Sequence, residues 1–431
     1  MNRTGRRQRQ ACMLDFRHDN REGIRMDPLI SSAARALSSG APLDALNLVA
    51  LRDDAPALAL RGIALAQLGD LARARALVHR AARAFGPRRP AARARCIVAE
   101  AEIALVSRDV KWPGRMLDAA RATLQAQGDH VNAEHARYIS ARRLLLLGRL
   151  DEAQRLLDEA PAGSLPAALN TAHELTVAGI AVRRGRANAA GAALGRAQIA
   201  ARRSAIPALI SEVQDAADTL NAPAARLFLQ GRERTLRLAE VEALHASKIL
   251  VVDACRNVLW RSGIAVPLVT RPVLFSLARI LGEAWPEDVP RDVLIERVFR
   301  MKVADETHRA RLRVEIGRLR ALLEPLADVR ATPEGFLLVP RDAGEVAVLA
   351  RLEDTPHGAV LALLADGESW PSSALALALG TSQRSVQRAL DSLAASGLAQ
   401  SQGPGRTRRW MASPLRGFTT SLLLPLAPAV D

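Results

Sequence analysis

Apolar residues recur at intervals of three and four from about residue 27 to 245, on a background of Ala, Leu and Arg with few β-branched runs. That period puts them on one face of successive α-helices. The pattern itself repeats. LRGIALAQLGDLARARALVHRAARAF spaces Gly69, Ala74 and Ala81 five and seven residues apart. YISARRLLLLGRLDEAQRLLDEAP does the same with Gly148, Ala153 and Ala160, and VAGIAVRRGRANAAGAALGRAQIA with Gly185, Ala190 and Ala197. Gly148 and Gly185 are 37 residues apart; Gly69 and Gly148 are 79 apart, two periods with a degenerate copy at about 95–128. Gly40 and Ala45 read as a further, partial copy. A Gly between helical runs makes a tight turn, and small Ala residues admit a close neighbour. Each hairpin then leaves an apolar face that the next one covers.

The period changes near residue 246. KILVVDACRNVLW and GIAVPLV are β-rich, and residues 221–246 read as a helix or linker ahead of them. Short strands are expected at 248–253 and 257–260. VPLVTRPVLFSLARIL follows as a helix with Leu274, Leu277 and Leu281 toward a core. PRDVLIERVF and DETHRARLRVEIGRLRALLE read as two more helices, and VRATPEGFLLVP as two strands around Pro333-Glu334-Gly335. Strands, three helices and a hairpin predict a winged helix-turn-helix over 246–341. RDAGEVAVLARLEDTP, at about 341–355, reads as a break. A second winged helix is expected over 342–412. AVLALLADGESW and SSALALALG are its first helices, the latter ending at Gly380. TSQRSVQRALDSLAASG is the third, capped by Thr381, with Val386, Leu390 and Leu393 at helical spacing. Leu398 opens a strand, Gly403-Pro404-Gly405 turns, and RTRRWM returns. The expected class is mainly α: an N-terminal α-solenoid of helical hairpins (27–245) followed by two winged-helix (α+β) modules. Residues 1–26 read as a basic, disordered leader or an untranslated stretch before a start at Met26, with a DNA-gripping arm as the alternative. Residues 413–431 read as a C-terminal tail.

Charge sharpens this picture only locally. The 431 residues carry a net +15, and the sole lysines are Lys111, Lys248 and Lys302. An Arg- and Ala-rich coding composition yields such a balance without any polyanionic partner, so position decides. Leu312, Ile316, Leu319 and Leu323 form one stripe of the third helix. Opposite lie Ala310, Val314, Gly317 and Ala321, flanked by Arg311 and Arg318 on one side and Arg313 and Arg320 on the other. Small residues let a helix sit deep in a groove, and guanidiniums reach phosphates or pair with guanine. Thr307, His308 and Arg309 open this helix, and Thr332 lies in the wing. Glu315 can accept from cytosine N4 or pair with an Arg. In the second module Gln383, Arg384, Gln387 and Arg388 are expected outward, and Arg406, Arg408 and Arg409 lie on the wing, where phosphate contact is natural. Double-stranded DNA is the partner these residues imply.

Gly62, Gly69, Ala74, Ala81 and Pro87 fall near the small-residue and Pro positions of tetratricopeptide repeats, which the first part of the chain resembles. It departs from them in its longer periods and its few aromatics, Tyr138 being the only tyrosine. The resemblance implies a protein or peptide partner on the repeats, or a homodimer. Val266-Pro267-Leu268-Val269-Thr270, Val314-Glu315-Ile316-Gly317-Arg318-Leu319-Arg320 and Ala331-Thr332-Pro333-Glu334-Gly335-Phe336 resemble the OmpR/PhoB-type winged-helix family over about 90 residues. In that family the third helix enters the major groove and the wing meets the minor groove or backbone. No receiver domain is legible ahead of the module, and Phe336 or Leu337 replaces the usual wing Tyr, so phosphorylation control is not implied. Residues 356–412 resemble MarR- and DeoR-like winged modules. Together these imply a bacterial transcriptional regulator with a helical-repeat sensor or assembly domain.

Other chemistry is not legible. GxxxxGK[ST], HExxH, GxSxG and a strand-borne GxGxxG are absent, and His130 and His135 are five apart rather than four. Cys12, Cys96 and Cys255 form no CxxC pair. No cofactor, metal, catalytic residue or membrane span is expected, and a cytoplasmic location is. A protein-interaction scaffold with structural winged helices is the alternative function; an undetected nuclease is a more distant one.

Overall fold

The computed structural model describes residues 27–107, 109, 112–159, 165–299, 305–341, 344–352, 357–364, 369–403, 405 and 408–413. The expected leader and nearly all of the expected tail lie outside them. The fold is mainly helical with small sheets toward the C-terminal end. It divides into two compact units. One takes residues up to Ile180 with Gly191–Ala217; the other takes Ala181–Ala190 with Asp218–Pro414.

The first unit is helical throughout. It contains α1 (Pro28–Ser38), α2 (Pro42–Val49), α3 (Ala55–Gln67), α4 (Leu71–Phe85), α5 (Pro90–Val106), α6 (Gly114–Ala126), α7 (His130–Leu146) and α8 (Leu150–Asp158). Then come α9 (Ala167–Arg183), whose end passes into the second unit with the start of α10 (Ala187–Ser204), and α11 (Pro207–Asn221). Asp27, Asp54, Asp70 and Asp129 cap α1, α3, α4 and α7, each carboxylate accepting from a first-turn backbone N–H. α1 packs on α2 and α3, α3 on α4 and α5, and α5 on α6 and α7. Residues 95–128 fall on α5 and α6. Ala74, Ala81, Ala153, Ala190 and Ala197 are fully buried; Ala160 lies outside the described residues. Gly62 shows why small residues recur. A Cβ there would stand 2.6 Å from Val78 Cγ2 and 3.0 Å from the Ala74 carbonyl, so α3 and α4 close only over hydrogen.

The second unit corrects two expectations. Residues 221–246, expected as helix or linker, hold β1 (Pro223–Leu229), β2 (Arg232–Arg237) and then α12 (Leu238–His245). The turn between the strands is Gln230-Gly231, both at positive φ (51° and 72°), as a two-residue hairpin demands. Residues 341–355, expected as a break, hold β9 (Val346–Ala350), buried along its whole length. β9 joins β3 (Leu250–Asp253) in parallel and β1 antiparallel. With β4 (Val258–Arg261) and β5 (Ile264–Pro267) the sheet order is β2-β1-β9-β3-β4-β5. Strands on both sides of the 246–341 span therefore share one sheet with β3, β4 and β5. Two cores explain why β9 reads as continuous apolar sequence rather than an alternation. Val346 and Val348 enter the core shared with α13 (Pro272–Ala284), while Ala347 and Leu349 enter the one containing Val241 of α12.

Beyond the sheet the chain runs through α13, β6 (Val289–Pro290), α14 (Arg291–Phe299), α15 (Glu306–Leu323), β7 (Ala327–Ala331) and β8 (Gly335–Pro340). The three strands order as β6-β8-β7. After β9 the same succession recurs: α16 (Gly358–Leu364), β10 (Trp370–Pro371), α17 (Ser372–Leu379), α18 (Gln383–Ala395), β11 (Ala399–Gln402) and β12 (Arg409–Ala412). Its strand order, β10-β12-β11, is the same permutation. Leu274, Leu277 and Leu281 of α13 are buried with Leu294, Ile295 and the α15 stripe. Val386, Leu390 and Leu393 anchor α18 in a separate core with Leu364, Leu375 and Trp410.

Candidate nucleic-acid interface

α15 divides as its residue types dictate. Leu312, Ile316, Leu319 and Leu323 are each at most 2 % exposed, whereas Val314 on the opposite side is 53 % exposed. Arg309, Ala310, Arg311, Arg313, Gly317, Arg318, Arg320 and Ala321 are all exposed. An added Cβ at Gly317 would meet nothing within 4 Å, so the outer face is open. Asp305 caps the helix, its Oδ1 accepting the His308 N–H at 2.8 Å. That backbone bond, with further help from the His308 ring, holds the Asp305 carboxyl below its ordinary pKa. His308 Nδ1 lies 2.5 Å from the same carboxylate. His308 thus lies against the cap carboxylate, on the structural side of the helix start. Thr307 beside it is exposed.

The guanidiniums are held in place by their own neighbours. Arg311 stacks over the Phe299 ring at 4.5 Å. Arg313 donates to Glu306 at 2.8 Å and Arg318 to Glu315 at 2.9 Å. Arg309 lies 3.6 Å from Asp292. Arg320 bonds the Val329 carbonyl and lies 3.4 Å from Asp328, which ties it to β7. Glu315 is therefore the partner of an Arg, one of its two expected roles. Arg313 and Glu306 keep 66 % and 70 % of their side chains exposed, and an ion pair this wet is worth about 0–1 kcal/mol, so an incoming anion would displace Glu306 at little cost. Glu315 is only 14 % exposed and holds Arg318 in a more sheltered pair.

Thr332 works inside the hairpin. Its hydroxyl accepts the Gly335 N–H at 2.8 Å and donates to the Asp288 carboxylate. Arg291, which the sequence pattern did not single out, donates to the Pro333 and Thr332 carbonyls at 2.8 and 2.9 Å and lies over Phe336. It fastens the hairpin to α14. Arg330, on β7, is a further exposed cation that was missed; the alternation in VRATP puts it opposite buried Val329.

In the second module Ser382, not Thr381, is the N-cap of α18, its hydroxyl accepting from the Ser385 N–H. Both side chains suit the position, but Gly380, left-handed at φ 62°, closes α17 with the Thr381 N–H bonded back to Ala376. Thr381 is thus committed to the previous helix. Gln383 donates to Ser372 at 3.1 Å and Gln387 to Asp391 at 2.9 Å. Arg384 and Arg388 are exposed and have no ion-pair partner among the described residues. Arg409 donates to the Ser369 carbonyl, Arg408 is exposed, and Arg406 lies outside the described residues. Among the described residues no three His, Cys, Asp or Glu side chains gather as metal ligands, and no helix is long and apolar enough to cross a membrane. No family model, curated protein or solved structure matches the chain.

Proposed function

We propose that the chain is a transcriptional regulator that binds double-stranded DNA through two winged-helix modules and senses or assembles through a helical-repeat domain. The observation that carries this reading is the outer face of α15. It is small at Ala310, Gly317 and Ala321, rimmed by five exposed arginines, and backed by a fully buried stripe. A helix of that shape enters a major groove without steric conflict, and the hairpin beside it reaches the backbone. The recurrence of helix-strand-helix-helix-hairpin, with the same strand order, supports a second reader in the chain. The side-by-side contacts α1–α3, α3–α5 and α5–α7 support a stacked repeat whose exposed surface takes a protein, a peptide or a second copy.

The test is fluorescence anisotropy on mixed-sequence duplex DNA across a salt series. Binding is expected to weaken steeply with salt, and R311A/R313A/R318A to reduce the salt slope by about one per arginine removed. Retention of the wild-type slope by this variant would remove DNA binding from α15. A protein-contact role is a second reading for the second module alone, favoured by Leu377, 85 % exposed on α17.

A further inference from the structure

Val314 is the large apolar side chain that α15 leaves exposed, at 53 %. Leu312 and Ile316, each two residues away, are buried. At about 100° per residue this spacing turns Val314 directly away from the core. Ala310 and Gly317 are its neighbours on that side, one turn before it and one turn after. Neither carries a side chain long enough to cover it, so the isopropyl group stands proud of the helix. A lone exposed apolar residue is ordinary on a protein surface and needs no partner. Val314 differs in what surrounds it. Arg309, Arg311, Arg313, Arg318 and Arg320 are all exposed along the same face.

That charge says what covers the valine. A polyanion meets the arginines with its phosphates as it closes over the face. The cations are also held to the flanks. Arg311 stacks on Phe299 of α14 on one side, and Arg320 bonds the Val329 carbonyl of β7 on the other. Cationic groups at the margins with an apolar group at the centre match a major groove, which has phosphates along its rims and base edges on its floor. The floor presents hydrogen-bond donors, acceptors and one apolar group, the C5 methyl of thymine. A valine side chain neither gives nor takes a hydrogen bond. Over a polar base edge it would strip water and replace nothing, which is unfavourable. Over the methyl it gains apolar contact. We infer, on the proposed placing of α15 in duplex DNA, that Val314 reads the C5 methyl of a thymine and so determines which base the centre of the helix selects.

The probes are duplexes enriched by the full chain from a random-sequence library. In an enriched duplex each thymine is replaced in turn by deoxyuridine, which lacks only the methyl and keeps every hydrogen-bonding group. One thymine is expected at which the replacement weakens binding about fourfold, the ratio for taking one methyl group out of apolar contact. V314A, at an exposed position, should keep the wild-type circular dichroism spectrum and melting temperature. It should bind the thymine duplex more weakly than wild type and bind the thymine and deoxyuridine duplexes alike. No thymine at which deoxyuridine matters, discrimination that survives in V314A, or a library that does not enrich overturns the inference. Salt-dependent binding of wild type to mixed-sequence duplex separates this outcome from failure of the DNA reading. If that binding is present and the deoxyuridine series is flat, Val314 reads no methyl and the DNA reading stands. If it is absent, both fall.

Discussion

Gly335 sits where two backbones nearly touch. A Cβ there would lie 1.7 Å from the Val289 carbonyl oxygen and 2.9 Å from Pro290 Cα. No side-chain rotation relieves contact with a backbone, so Gly335→Ala has to part β6 from β8. The expected loss is about 1–3 kcal/mol, read as a lowered Tm by circular dichroism. Buried sulfur gives a second residue-scale outcome. Burial pushes the Cys96 and Cys255 thiols up to about 12, first through desolvation. The thiolate is the reactive form. Iodoacetamide at neutral pH should leave both unmodified in the folded chain and alkylate both in denaturant, as read by peptide mass spectrometry. Histidine titration sets the acid limit. Burial lowers the pKa of His173 and of His245 in the fold. The unfolded chain then takes up these protons first as pH falls through about 6.5. The stability due to neutral imidazoles is complete above that value and declines below it. Tm should fall between about pH 7 and 5, and less steeply in H173N.

At the scale of elements, β9 is the decisive strand of the second unit. Leu349 is 1 % exposed and packs in the core with Leu227 and Leu236, so Leu349→Ala should cost about 2–5 kcal/mol by denaturant titration. A chain ended at residue 341 lacks the strand and should fail to give a cooperative transition for the first module, whereas one ended after 352 retains it. These elements also show what was legible beforehand. α15 was readable because half of it is buried and half exposed, so Leu312, Ile316, Leu319 and Leu323 stand out by period alone. β9 was not, because a strand covered on both faces loses its alternation and VAVLA resembles any short apolar run. β1 and β2 carry a sequence signal of their own, Gln230-Gly231 as a hairpin turn between alternating residues, but the surrounding Ala and Arg mask it by suggesting helix. The partners of the α15 arginines were unreadable for another reason. Asp292, Phe299 and Asp328 reach them only through the tertiary fold. The Glu306 and Glu315 pairings, by contrast, are local to the helix.

At the scale of the molecule, two modules on one chain make binding a matter of effective concentration. Under the proposed function, R384A/R388A should weaken affinity for duplex DNA at fixed salt while leaving the part of the salt slope due to α15 in place. Loss of all binding in that variant would make the second module the principal reader. Competition with poly-anionic heparin separates groove recognition from charge alone, because only a fitted helix discriminates duplex sequences at equal ionic strength.

The parallel pairing of β9 with β3 also fixes an order of events during synthesis. β1 leaves the ribosome about 120 residues before the strand that must lie beside it. At ordinary elongation rates that wait is roughly 6 to 25 seconds. Through this interval β1 and β3 both expose an edge to the gap that β9 will fill. The nascent chain thus carries two unpaired, apolar strand edges through most of the making of the first module. Ribosome-associated chaperones should find it there, and slowing translation between residues 260 and 340 should lower the soluble yield without touching the finished fold.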